Sequence, residues 1–190
     1  MPLLTLALKR ARLEKAAPFV HGDVLDLGCG PADLLARAED RIASYTGIEN
    51  NARALGMNRK RFPGHTFLQM NLETDPIGVE RRYDVIVLTA VIEHIRNQEF
   101  LFGQLAPLLK PGGRVVLTSP TPFGAGVVHR LGAVIGLFSR EAADTHEAPC
   151  SRRRFEALAR AAGLRIKVYR RFQCGLNQLL VLARDGEAGT

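Results

Sequence analysis

The stretch Val24-Leu25-Asp26-Leu27-Gly28-Cys29-Gly30-Pro31-Ala32-Asp33 constrains the fold of this 190-residue chain more than any other. Residues that read as a strand run into two glycines spaced by one, and a helical pattern follows. A strand, a tight turn and a helix in that order make the first half of a βαβ unit, which calls for a parallel sheet. Glycine lacks a Cβ, so the chain at Gly28 and Gly30 can turn sharply and bring its N–H groups against a ligand. The free amides at the start of the next helix would point at the same spot. The turn therefore reads as a nucleotide-binding one.

The alternation continues. A covering helix is expected over Leu3–Ala17. Strands are expected at Asp23–Leu27, Tyr45–Glu49, Thr66–Met70, Tyr83–Thr89 and Arg114–Ser119, with helices at Ala32–Ala43, Ala52–Arg61 and Gln98–Leu109. Lys110-Pro111-Gly112-Gly113 stops the last of these helices. Tyr83–Thr89 is a continuous apolar run of the kind buried in parallel sheets. Ser151–Ala162 reads as a capped helix stopped by Gly163, and Arg165–Arg170 with Gln178–Arg184 as a terminal antiparallel hairpin. The expected fold is α/β: a doubly wound, mostly parallel seven-stranded sheet with an antiparallel edge strand and helices on both faces. One domain over 1–190 is expected, with a helical, lid-like insertion at about 121–149.

Composition narrows the class. No run of 18 apolar residues appears and the first 18 residues lack a signal-peptide h-region, so a cytoplasmic protein is expected. Cys29, Cys150 and Cys174 have no C-x-x-C spacing, which points to free thiols, Cys29 being structural. The net charge of +7 would suit RNA, anionic lipid or phosphorylated partners, yet no Arg-Gly repeat or aromatic RNA-binding strand accompanies it.

Asp33 occupies the third glycine position of the dinucleotide fingerprint G-x-G-x-x-G, which disfavours a nicotinamide oxidoreductase. Asp26 stands two residues before Gly28, and the resulting Asp-x-Gly-x-Gly-x-small pattern resembles the first motif of the class I S-adenosylmethionine (SAM) methyltransferases. Those enzymes usually carry Gly where this chain has Ala32, and Pro31 is a further departure. Thr89-Ala90-Val91-Ile92-Glu93-His94-Ile95 looks like the Val-Ile-Glu-His segment of the small-molecule (type 11/12-like) group, and Leu109–Arg114 resembles the loop that follows it. The similar segments span about residues 20–120.

Glu49 lies about 20 residues beyond Gly28, at the end of the second strand, where a carboxylate can grip ribose hydroxyls. The resemblance places Asn71 on adenine, a position where the family often has Asp. The expected cofactor set is Asp26, Gly28, Cys29, Gly30, Glu49, Asn50, Asn71, Leu72 and Thr89, with SAM as the cofactor. His94 and His146 are the candidate general bases, each also readable as a loop residue, His94 as one that helps hold the cofactor site. Metal-dependent relatives carry Glu three residues before the Glu-His pair; Ala90 stands there, so no metal is expected.

The segment Gly124–Phe138 is apolar nearly all round and reads as a substrate lid, with a buried helix and a peripheral membrane contact as alternatives. The resemblance implies in-line methyl transfer to a small-molecule or lipid-linked acceptor. Absence of an Asn-Pro-Pro-Tyr or a cysteine after the fourth strand argues against DNA-base chemistry. An RNA methyltransferase and a SAM-binding module without catalysis are the alternatives.

Overall fold

Val24, Val85 and Val116 alternate with Leu25, Ile86 and Val115 between two apolar clusters, as neighbouring residues of strands buried on both faces must. A computed structural model describes residues 3–78, 80–126 and 150–185. The strands are β1 (Gly22–Leu27), β2 (Ile42–Glu49), β3 (Thr66–Gln69), β4 (Tyr83–Thr89), β5 (Leu109–Pro120), β6 (Leu164–Phe172) and β7 (Asn177–Arg184). They form one seven-stranded sheet in the order β3-β2-β1-β4-β5-β7-β6. All neighbours pair in parallel except β7, which runs against both β5 and β6. The expected hairpin is present at the edge, and its reversed strand lies one place in, between β5 and β6.

The helices are α1 (Leu3–Ala16), α2 (Asp33–Ala38), α3 (Ala52–Arg61), α4 (Gln98–Gly103) and α5 (Arg152–Ala161), with a helical turn over 122–126. Leu13 and Ala16 of α1, Leu34 and Leu35 of α2 and Leu55 of α3 share one face of the sheet with Val24 and Val116. Leu101 and Phe102 of α4 and Phe155 of α5 pack on the other with Ile86 and Leu117. Asn51 caps α3 by accepting from the amides of Arg53 and Ala54, and Ser151 caps α5 by accepting from that of Arg154.

Several boundaries differ from expectation for local reasons. The helix expected over 32–43 stops at Ala38, because the next three residues form a 3-10 turn and Ile42 already pairs with Gly22 of β1. Ala32 is left-handed (φ 53°), so α2 begins only at Asp33 and Pro31 lies in the turn ahead of it. The helix expected over 98–109 shortens to α4 plus a 3-10 turn at Ala106–Leu108 carrying Pro107. The breaker at 110–113 lies inside β5 as an irregularity, since Tyr83 pairs with Leu109 while Val85 pairs with Arg114.

All three cysteines are free, Cys29 and Cys150 buried and Cys174 exposed. Among the described residues, no helix is long and apolar enough to cross a membrane. Most of the expected insertion, and with it most of Gly124–Phe138 and all of His146, lies outside the described residues.

Candidate functional site

In an open parallel sheet the chain leaves adjacent strands in opposite directions at the switch point, here between β1 and β4, and opens a crevice beyond their carboxyl ends. A cavity of about 550 Å³ occupies that place, lined by Gly28, Glu49, Asn50, Met70, Asn71, Leu72, Glu73, Ala90, Val91, His94, Ile95 and Arg96. These residues come from the ends of β1, β2, β3 and β4, in the order the sheet dictates.

Gly28 has φ +73°, and a Cβ there would lie 2.5 Å from Val91 Cγ2. Gly30 has φ +51° and open space around it. Its amide donates to Glu49 Oε2 at 3.0 Å, while the amide of Asn51 donates to Oε1 at 2.9 Å. Glu49 is thus fixed by one backbone bond on each oxygen, and each oxygen keeps lone pairs for a ligand. Asn71 Oδ1 accepts from the amide of Glu73 at 3.0 Å, which holds the side chain in a turn at the cavity wall. Glu73 Oε1 in turn accepts from the Arg96 amide at 3.0 Å and closes that end.

Four residues of the expected cofactor set do not line the cavity: Asp26, Cys29, Gly30 and Thr89. Asp26 lies beneath the glycine turn, 1 % exposed. Its Oδ2 accepts from the Tyr45 hydroxyl at 2.7 Å, whereas Oδ1 has no partner. Burial raises its carboxyl to about 7, against the pull of the Tyr45 bond. Cys29 Sγ packs under the turn, 2.8 Å from where a Cβ on Gly47 would stand. Burial and the nearby Asp26 carboxylate push this thiol up, so it is inert filler, as its expected structural role requires. Thr89 pairs with Thr118 across β4 and β5, at the end of both strands.

His94 lines the cavity and its side chain is exposed, whereas the preceding Glu93 is buried and 4 % exposed. Burial raises the Glu93 carboxyl to about 7, partly offset by the Arg12 guanidinium of α1. Arg12 Nε donates to Asn177 Oδ1 at 2.8 Å at the start of β7. Burial pulls the guanidinium below its ordinary value. Among the described residues, no three His, Cys, Asp or Glu side chains come together as metal ligands.

A family model described as a methyltransferase domain matches residues 4–167. The chain belongs to that family. Its sheet has the class I methyltransferase fold, that of SAM-dependent methyltransferases of known structure. Trans-aconitate 2-methyltransferase of Rhodopseudomonas palustris strain BisA53 is 34% identical over 102 residues, covering 51% of this chain and 38% of that protein. The ubiquinone biosynthesis O-methyltransferase of Aeromonas salmonicida strain A449 is 29% identical over 110 residues, covering 56% of this chain and 46% of that protein. The chain thus spans less than half the length of these curated relatives. Among solved structures, a SAM-dependent methyltransferase from Mesorhizobium loti superposes with a TM-score of 0.71 at 16% identity, covering 94% of this chain and 96% of that one. The magnesium protoporphyrin IX methyltransferase of Synechocystis PCC 6803, solved with bound S-adenosylhomocysteine (SAH), gives 0.69 at 17% identity, covering 95% and 84%.

The residues present fit SAM. A cavity of this size suits a nucleotide-sized ligand. An anchored carboxylate, Glu49, faces it, and an unpartnered carboxylate oxygen of Asp26 lies under the glycine turn. Sequence reasoning missed Met70, Glu73, Ala90, Val91, Ile95 and Arg96 as wall residues and Arg12 as the charge beside Glu93. The wall residues adjoin motif positions, so strand-end proximity alone could have found them. For Arg12, a basic residue on a covering helix, the sequence holds no signal.

Proposed function

We propose that the protein methylates a small-molecule or lipid-linked acceptor with SAM as donor. The observation that carries this is Glu49, held by the amides of Gly30 and Asn51 at the mouth of the switch-point cavity. When bound, SAM supplies a methyl group on a sulfonium that is already a good leaving group, so the protein has only to position the acceptor and remove its proton.

The two oxygens of Glu49 accept from the ribose hydroxyls. Asn71 and Leu72 form the wall at the adenine end, and the lone pair left on Asn71 Oδ1 accepts from the adenine amino group. Asp26 gives the positively charged methionine end a carboxylate beneath the glycine turn. Val91 and Gly28 fit so closely that they fix the height of the cavity floor. His94 stands on the wall with an exposed imidazole and takes the acceptor's proton. His146 keeps a parallel claim on that role, and its position lies outside the described residues.

Thermal denaturation in the presence of SAM, SAH, NAD and NADP tests the cofactor. A ligand at 100 times its Kd adds about 2.7 kcal/mol of stability, several degrees for a chain of this length. A rise with SAM and SAH alone is expected. A rise with NAD or NADP alone would overturn the reading.

A further inference from the structure

The net charge of +7 is not spread over the chain. Residues 151–172, which make α5 and β6, hold eight of the 26 Lys and Arg residues and one of the 19 Asp and Glu residues. The rest of the chain is left with 18 of each sign, so the whole excess belongs to one helix and one edge strand. All eight of these basic residues are exposed.

Part of this charge has a local reason and part has none. Lys and Arg on an edge strand keep a second chain from pairing with it, which accounts for Arg165 and Lys167 along β6. The first turn of α5 is different. The positive end of a helix dipole favours Asp and Glu, yet Arg152, Arg153 and Arg154 occupy that turn with no acidic residue among them. Glu156 pairs with Arg152, and Glu99 with Arg154. No ion pair joins Arg153, Arg170 or Arg171 to a carboxylate among the described residues.

The topology gathers these side chains at the cavity pole. β6 points the same way as β5, because β7 opposes both. α5 runs back against β6, so its first turn lies beside the end of that strand. The Arg152 guanidinium stacks 4.9 Å over the Tyr169 ring, and Arg171 Nε donates to the Tyr169 hydroxyl at 3.2 Å. Arg153 and Arg170 adjoin those two in the chain. The turn after β6 is joined in its own right to the start of the helical turn over 122–126, since Thr121 Oγ1 donates to the Gly175 carbonyl at 2.6 Å. That helical turn carries Phe123, 64 % exposed.

We propose that this pole docks on an anionic phospholipid bilayer, with Arg153, Arg170 and Arg171 over the headgroup phosphates and Phe123 in the interface. Basic side chains beside an aromatic ring that is free to enter the headgroup layer are what such a surface binds. A single strand of nucleic acid would meet the same charge, but it needs a row of rings for successive bases. Tyr169 is covered by Arg152, which leaves Phe123 as the exposed ring of this patch. The cavity opens at the same pole, toward β4, so docking turns its mouth to the bilayer. The inference goes beyond the methyltransferase reading and does not depend on it.

Co-sedimentation with vesicles tests this. The ligand-free protein is mixed, at low and high salt, with vesicles of phosphatidylcholine alone or of equal parts phosphatidylcholine and phosphatidylglycerol. Binding to the phosphatidylglycerol vesicles alone, lost at high salt, is expected. An arginine held at an anionic surface is worth about a fivefold change in partitioning, so Arg153→Ala combined with Arg170→Ala should lower it by about tenfold or more. Arg82→Ala combined with Arg160→Ala removes the same charge from the opposite pole, ahead of β4 and at the end of α5, and should leave partitioning nearly unchanged. Phe123→Ser should weaken binding and keep its salt dependence. Each substituted residue is exposed, and an unchanged melting temperature shows that each variant is folded. Equal binding to neutral vesicles, equal losses in the two double variants, no effect of Phe123→Ser, or tighter binding of a single-stranded RNA than of the anionic vesicles would overturn the inference. None of these outcomes touches SAM binding, so failure here leaves the reading above standing.

Discussion

Gly28 and Gly30 are both left-handed, yet each is needed for a different reason. At Gly28 a side chain meets Val91 as well as an unfavourable backbone, so Gly28→Ala should lower stability by about 2–3 kcal/mol. At Gly30 a methyl group has room, and Gly30→Ala carries only the backbone penalty of about 1 kcal/mol. The Gly30 amide also holds Glu49, so Gly30→Ala should lose SAH affinity out of proportion to its loss of stability. Thermal melts paired with SAH titrations separate the two effects. Glu49→Ala removes both accepting oxygens and leaves two amides unpaired; SAH affinity should fall at least tenfold, since a hydrogen bond to a charged group is worth about 1.5–3 kcal/mol. At this scale the sequence was most readable where a residue type is demanded by the backbone. Gly28, Gly30 and the spacing to Glu49 could be read because turn geometry and strand length dictate them. Glu93 was visible as part of a motif, but its burial depends on α1 and β5, which lie about 80 and 25 residues away.

Gln178 shows how elements far apart in the chain are joined. It is fully buried on β7, and its amide nitrogen donates to Pro120 O at 3.1 Å and to Cys150 O at 2.7 Å. Pro120 ends β5 and Cys150 precedes α5, so one side chain ties the two stems of the intervening segment. Gln178→Ala leaves two carbonyls without that donor and should lower stability by about 2–3 kcal/mol, read from the midpoint of denaturant unfolding. Element type was legible for the strands, every one expected from the apolar runs being present, and α3 spans the expected residues while α5 starts at its predicted cap. Element ends were less so. Ala43 and Ser44 suit a helix as well as a strand, and only pairing of Ile42 and Ser44 with β1 decides the matter. Glycines at 112 and 113 signal a turn, yet the hydrogen-bonding register of β4 and β5 resumes beyond them.

The two ends of the sheet treat charge in opposite ways. At the end remote from the cavity, Lys110 Nζ bonds Asp23 at 2.6 Å and Asp84 at 2.8 Å, and Asp23 is further bonded by Ser44 and Arg81. The bonds from Lys110 and Ser44 hold the Asp23 carboxyl below its ordinary value. Its contribution is therefore present above about pH 4 and is lost as pH falls through the folded value. At the cavity end, Asp26 and Glu93 are raised to about 7, so the folded state holds protons that the unfolded chain releases near pH 4. Stability from these two falls as pH rises from about 4 to about 7 and is level beyond. The ligand-free protein should thus melt highest near pH 5, and Asp26→Asn should flatten the decline toward pH 7.5. SAH affinity should run the other way, rising up to about pH 7 as Asp26 ionises. Melting curves and titrations across pH 4.5–8.5 check both signs. Much of the positive charge in the sequence is occupied in pairs such as Lys9–Asp33, Arg154–Glu99 and Arg165–Asp185, a pattern that no count of basic residues reveals.

The reversed strand β7 also sets an order of assembly during synthesis. The cavity walls lie between Gly28 and Arg96, so all of them are made before β5 begins. The side beyond β5 waits for Asn177 and Gln178, which anchor Arg12 and the two stems and belong to the last strand of the sheet. A nascent chain released early would hold every wall of the cavity while Arg12 and the stems after β5 still lacked their anchors.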